Sequence, residues 1–165
     1  MEEKFKKRML RTFRFPKEDM SVRNWGRVRG VWTVMRNFLV ISLCKVLPDI
    51  EFKNVLYRRV GIKIGKDVTI MGSSFDIFFP ELIEIGDGST VGAFTVILTH
   101  EFENDSWSRG KIKIGKNCLI GAMTVILPGV EIGDNCTIAS YSLVNKSIPP
   151  NTFAGGVPVR PLGKT

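Results

Sequence analysis

His100 is the single histidine of a 165-residue chain, and it stands in the run Ile97-Leu98-Thr99-His100-Glu101-Phe102. A neutral imidazole can take a proton from a hydroxyl near neutral pH, which is the work of a general base. Glu101 could orient the ring, and so could a backbone carbonyl. A catalytic metal would need several such ligands together, and the sequence does not supply them. Trp107 follows in the stretch 103–113, placed to stack on a ring of a bound molecule. Ala93, Ala122 and Ser140 form a set of small side chains, each two places after a branched aliphatic residue. Stacked, they would leave a shallow track for a thin, extended ligand. Lys146 lies near one end of that track, and Arg160 and Lys164 follow it with charges suited to phosphates.

The elements that must carry these residues are written in a repeat. Ile114, Ile120, Ile126, Ile132, Ile138 and Val144 recur at every sixth position, and the register runs back through Ile97, Val91 and Ile85 to Ile70 and Ile64. A period of six matches neither a helix nor a flat strand, but it matches a triangular coil with three short faces. The expected fold is therefore all-β, a parallel β-helix of about four 18-residue coils at 64–81, 85–102, 114–131 and 132–149. Three inward columns follow: Ile64, Ile85, Ile114 and Ile132; Ile70, Val91, Ile120 and Ile138; and Ile97, Ile126 and Val144, with Ile77 one place off register. Asp67, Gly88, Asn117, Gly129 and Asn135 each fall three places after a ladder residue, where a corner needs positive φ. His100 falls at a corner too, and is expected to face outward. Cys118 and Cys136 should point inward, one above the other, as a buried thiol column rather than as nucleophiles.

Charge divides the chain. Residues 1–63 hold 16 Lys/Arg against 6 Asp/Glu, and residues 64–165 hold 8 against 10. Three segments are expected: a basic N-terminal helical segment at 1–63, the β-helix at 64–149 and a tail at 150–165. Within the first, 1–20 reads as a loose start, 21–47 as one or two helices ended by Pro48, and 50–63 shows little periodicity. Trp32, Met35, Phe38, Leu39 and Leu43 are expected to dock on the first coil and cover its free strand edge. Peripheral contact of this segment with anionic lipid is the other use of such a composition. It lacks the interleaved aromatics of a single-strand binder, so no nucleic-acid partner is expected. The longest apolar stretch is too short and too often charged to span a bilayer. No signal-peptide pattern follows Met1, and three cysteines without CxxC spacing fit a reducing compartment. The expected location is the cytoplasm.

The run IGKNCLIGAMTVILPGVEIGDNCTIASYSLVNKSIPPNTFAGGVPVRPL resembles the C-terminal half of the hexapeptide acyltransferases, such as the maltose, galactoside and chloramphenicol-type O-acetyltransferases. The hexads, the Ile-Leu-Pro-Gly-Val step, the closing Gly-x-Pro-x-Arg and a lone histidine ahead of an excursion loop all match across residues 64–165. RNFLVISLCKVLPDIEFKNVLYRRVGIKIGKDV, FDIFFPELIEIGD and HEF also resemble a less characterised acetyltransferase subgroup. The resemblance implies a left-handed β-helix, a homotrimer with sites at subunit interfaces, and direct transfer of an acetyl group from acetyl-CoA to a hydroxyl of a small acceptor, a sugar or related compound. It implies His100 as the base and places Ala122, Ser140, Asn145, Lys146 and Arg160 along coenzyme A, with Glu101 and Trp107 toward the acceptor. No metal is implied. The sugar acetyltransferases carry an acceptor-binding asparagine where this chain has Met71, and a polar stretch where it has Phe75-Asp76-Ile77-Phe78-Phe79. That apolar rim speaks against a simple disaccharide acceptor.

Two other functions fit a solenoid. One is a non-catalytic binding or scaffold protein, since a fold does not fix a function. The other is a hydratase built on three histidines around a metal, which a single histidine per chain excludes even in a trimer.

Overall fold

Hexad periodicity appears in the molecule as three parallel sheets that the chain visits in rotation. A computed structural model describes residues 5–14 and 22–165. On the first sheet Ile64, Ile85, Ile114 and Ile132 pair in register. On the second the partners are Ile70, Val91, Ile120 and Ile138, and on the third Ile97, Ile126 and Val144. Ile70, Val91, Ile97, Ile120, Ile126 and Val144 are fully buried, so the ladders are the core. Cys118 and Cys136 are buried and unpaired within the same core.

Corner chemistry agrees with the backbone. Asp67, Gly88, Asn117, Gly129 and Asn135 take φ values of 55°, 68°, 54°, 78° and 56°. Coils stack so closely that a Cβ at Gly115 would lie 2.7 Å from the backbone nitrogen of Asp134.

The first coil departs from the expected register. Phe75, not Ile77, pairs with Ile97 on the third sheet. The chain reaches that sheet five residues after Ile70, and the Phe75 ring is buried in the core, edge-on to Tyr57 at 4.8 Å. Ile77 falls past the strand and is only partly buried.

Two helices close this end, α1 (Val31–Val46) and α2 (Glu51–Arg59). α1 stops where the residue before Pro48 turns extended, Leu47 having φ −70° and ψ 144°. The open edge of the first coil presents unpaired carbonyls, and polar side chains satisfy them. Lys53 Nζ donates to the Ile70 carbonyl at 2.6 Å, and Asn54 Nδ2 to that of Val68 at 2.8 Å. Arg58 reaches the carbonyls of Ile64 and Gly65 at 3.1 and 2.8 Å, and Asn37 Nδ2 reaches that of Ile77 at 2.8 Å. Docking of α1 is as expected, but the face is not. Val34, Asn37, Ile41 and Cys44 are its buried residues, whereas Trp32, Met35, Phe38, Leu39 and Leu43 are exposed. Apolar cover cannot satisfy a row of carbonyls, so the capping fell to donors.

The excursion at 103–113 is a hairpin of His100–Phe102 and Ser106–Arg109, and Arg11–Arg14 joins it as a third antiparallel strand. Residues 5–14 are thus a strap rather than a loose start. Lys6 bonds the Ser147 carbonyl, Met9 that of Gly129, and Phe13 pairs with Trp107. At the other end, Thr152–Gly155 extends the second sheet beside Thr137–Ile138 and turns back through Arg160–Lys164.

Candidate active site

His100 begins the hairpin at the corner where the third sheet passes toward the first. Its imidazole is less outward than the corner position implied. The side chain is 13% exposed, with Phe78, Phe102 and Phe79 at centroid distances of 4.6, 5.0 and 6.0 Å. This aromatic cage keeps water from most of the ring.

The group that orients the imidazole is Asp76, whose Oδ2 lies 2.5 Å from Nδ1. Asp76 is 3% exposed, and both of its oxygens are filled. Oδ1 accepts from the backbone N–H of Phe78 at 2.7 Å and of Phe79 at 3.2 Å. Oδ2 accepts from Thr99 N at 2.8 Å and His100 N at 3.2 Å. Burial alone would raise the Asp76 pKa. The hydrogen bond and charge of His100 and the bonds from Thr99 outweigh it, and the net direction is down. An ionised carboxylate facing Nδ1 makes that nitrogen the donor. Nε2 is then left with a lone pair, the form a base requires.

Glu101 does not orient the ring. It forms a bidentate ion pair with Arg8 of the strap, at 3.1 and 3.2 Å. Trp107 is also taken up by the protein. Its ring stacks on Phe13 at 4.4 Å and on Phe79 at 5.6 Å, with the Arg109 guanidinium 5.8 Å from its centroid. Both residues hold the strap, hairpin and Phe79 together behind the cage.

The small-residue column exists on a different corner, between the second and third sheets. Backbone bonds run from Met123 N to Ala93 O and from Tyr141 N to Ala122 O, which stacks Ala93, Ala122 and Ser140. Beside them Phe94, Met123 and Tyr141 hold φ values of 58°, 57° and 58°. They are 61%, 42% and 68% exposed. Bulky residues in the left-handed region are strained, and here three stand in a row along the track. Asn145 and Lys146 follow Val144 at the His100 corner, two coils further on, with Lys146 exposed. Arg160 is exposed at the start of the closing strand, opposite Gly155. One chain therefore places the imidazole and the track on different corners. A concavity of about 310 Å³ on the first face, lined by Lys6, Lys113, Glu131 and Asp134 among others, belongs to neither.

Asp76, the partner of the imidazole, is not among the residues that spacing and periodicity single out. The available signal was a lone carboxylate inside Phe75-Asp76-Ile77-Phe78-Phe79. A charge in an apolar run has to find partners when buried. Among the described residues no three His, Cys, Asp or Glu side chains are grouped to hold a metal ion.

Residues 111–146 match the family model described as bacterial transferase hexapeptide (six repeats). The protein named "Putative acetyltransferase YvoF" of Bacillus subtilis (strain 168) is 41% identical over 129 residues, covering 77% of this chain and 75% of its own length. Among solved structures, the hexapeptide-repeat acetyltransferase VCA0836 of Vibrio cholerae, complexed with acetyl coenzyme A, superposes with a TM-score of 0.67 at 22% identity, covering 84% of this chain and 91% of that one. A maltose O-acetyltransferase from Clostridium difficile 630 gives 0.59 at 24% identity, with 81% and 87% covered. The likeness is one of fold, the left-handed parallel β-helix.

Proposed function

Because the chain belongs to the hexapeptide-repeat acetyltransferases, we propose that it moves an acetyl group from acetyl-CoA to a hydroxyl of a small acceptor, with His100 as the general base. The observation that carries this reading is the Asp76–His100 pair, which leaves Nε2 free inside an aromatic cage. Nε2 takes the acceptor's hydroxyl proton as the oxygen attacks the thioester carbonyl. The C–S bond then breaks, and the proton passes to the departing thiolate, giving the acetyl ester and free CoA. No acyl-enzyme is needed, since the thioester is already activated. The protein supplies position and a low-dielectric surround.

The pantetheine arm fits the track of Ala93, Ala122 and Ser140 with Arg160 toward the phosphates, while Asn145 and Lys146, at the imidazole's corner, meet the same donor from a neighbouring copy. Imidazole and track lie on different corners of one chain, so a donor that touches both has to lie between two copies. A homotrimer, in which each chain lends one corner to its neighbour, meets that requirement. The phenylalanines at 75, 78 and 79 form the cage and the core, so an acceptor approaches Nε2 past an apolar wall. A sugar bearing an apolar substituent fits that approach better than a bare disaccharide.

Calorimetric titration with coenzyme A tests the donor half. The expected result is micromolar binding to the oligomer, weakened at least several-fold in Arg160→Ala, as loss of one charge-assisted phosphate contact implies. Absence of CoA binding by folded oligomer would end the reading.

A further inference from the structure

α1 carries two apolar stripes, and the fold uses one of them. Val34, Asn37, Ile41 and Cys44 face the first coil and are buried. Trp32, Met35, Leu39, Leu43 and Val46, spaced by threes and fours, run along the other side and are 88%, 45%, 63%, 51% and 79% exposed. Ile50 and Phe52, 46% and 58% exposed, extend the patch through the turn into α2. A helix that is apolar on both sides has a second neighbour, and a contiguous exposed patch of this kind marks an interaction surface.

Charge identifies the neighbour. Residues 22–48 contain five Lys/Arg and no Asp or Glu, and of the five Arg29 is turned to Glu81 at 2.9 Å. Arg36 and Lys45 lie on α1 itself and are exposed, Arg36 also donating to Asn37 Oδ1 at 2.9 and 3.3 Å. The nearest carboxylates in sequence are already engaged, Asp49 by the Ile70 N–H and Glu51 by Arg58. A second copy laid on this face would set Arg36 and Lys45 against their own counterparts. An anionic bilayer offers hydrocarbon for the stripe and phosphate for the cations on one surface. Trp32, at the start of the helix, is the residue type that settles at the water–lipid boundary. Among the described residues no helix is long and apolar enough to cross a membrane, so α1 lies in the plane of the surface.

We propose that α1 docks the protein on an anionic membrane, with the Trp32–Leu39–Val46 stripe in the headgroup boundary and Arg36 and Lys45 on lipid phosphates. The proposal rests on the cap at the first coil and is independent of the acetyl-transfer reading. It places the enzyme where an acceptor at a membrane surface would be within reach.

Co-sedimentation of the full chain with vesicles of equimolar phosphatidylglycerol and phosphatidylcholine tests it. The wild type should pellet at low salt, bind far less to phosphatidylcholine alone, and be released as salt rises. Arg36→Gln with Lys45→Gln should weaken binding by roughly five-fold per residue removed. Trp32→Glu with Leu39→Glu should abolish it. Both pairs are exposed, so the oligomer's mass and its affinity for CoA should not change; a thermal melt checks the Arg36 pair, because Arg36 also donates to Asn37 Oδ1. Any of three results would overturn the proposal: wild type left in the supernatant at low salt, equal binding to uncharged vesicles, or a Trp32/Leu39 variant that loses its oligomeric state, which would make the stripe a subunit contact.

Discussion

Replacing Asp76 by asparagine removes one negative charge from beside the imidazole and keeps the side chain's shape. The orientation of the new amide follows from the donors around it. Oδ2 accepts from three groups, Thr99 N, His100 N and His100 Nδ1, while Oδ1 accepts from two, Phe78 N and Phe79 N. The amide oxygen therefore takes the Oδ2 site, and its NH₂ meets the two backbone N–H groups. The ring keeps its tautomer, so the loss is that of the charge. A carboxylate roughly 4 Å from the charge that develops on the ring contributes about 4 kcal/mol at an effective dielectric of about 20, or on the order of 10³ in rate. That sits within the roughly 10² to 10⁴ that general-base catalysis supplies as a whole. Stability should fall as well, because two buried N–H groups lose their acceptor at about 1–3 kcal/mol each. The assay is thiol release from acetyl-CoA, with kcat and KM fitted separately and folding checked by thermal melt. The expected result is a kcat lowered by about three orders of magnitude with KM for acetyl-CoA nearly unchanged, since the track is on another corner. A folded Asp76→Asn protein with the wild-type kcat would refute the reasoning.

The same carboxylate predicts an acid limit. Despite its burial, the hydrogen bonds it accepts hold its folded pKa below the ordinary aspartate value, so the unfolded chain binds its proton more readily and Asp76 stabilises the fold above the unfolded value. The contribution is lost as pH falls through the lower, folded value; thermal melts taken from neutral pH to about pH 3 should show a steeper loss in the wild type than in Asp76→Asn. Lys53→Met should leave the carbonyls of Ile70 and Leu47 without their donor, costing on the order of 2–5 kcal/mol even after the lysine's own burial penalty is relieved; denaturant titration reads it, and an unchanged midpoint would show that the cap does not need this donor. Ile126→Ala, in the middle of the third ladder, should cost about 2–5 kcal/mol by the same measurement. Gly129→Ala should push the Met9 carbonyl off its corner and expose the strap's Arg11–Arg14 strand to proteolysis without unfolding the ladders; a strap as resistant as in the wild type would contradict that placement.

The ladders were legible because a period of six has few physical causes, and because Asp67, Asn117 and Asn135 stood where the corners need positive φ. Register failed where the period did. Five residues separate Ile70 from Phe75, and no local pattern announces a shortened coil. α2 was hidden for another reason, since Lys53 and Asn54 read as solvent-facing types yet turn inward to serve carbonyls that only the folded edge creates, and Tyr57 turns inward to pack edge-on against Phe75. The stripe of Trp32, Met35 and Leu39 misled in the complementary way: apolar residues suggested burial, and the buried stripe was the one containing Asn37 and Cys44. At the site, His100 stood out by being alone. Asp76 lies 24 residues earlier and meets it only because successive coils stack, a contact with no trace in local sequence. Arg11–Arg14 joins its partner strand across more than 90 residues, so nothing nearby marks it as a strand.

The central claim is that His100 Nε2 takes the acceptor's proton. Acetyl-CoA turnover by wild type and His100→Ala, measured as thiol release over a panel of hydroxyl compounds, tests it most directly. The account predicts an acceptor-dependent rate for the wild type, and for His100→Ala a kcat lower by about 10² to 10⁴ with undiminished CoA binding. A His100→Ala enzyme that turns over its acceptor at the wild-type rate would contradict it.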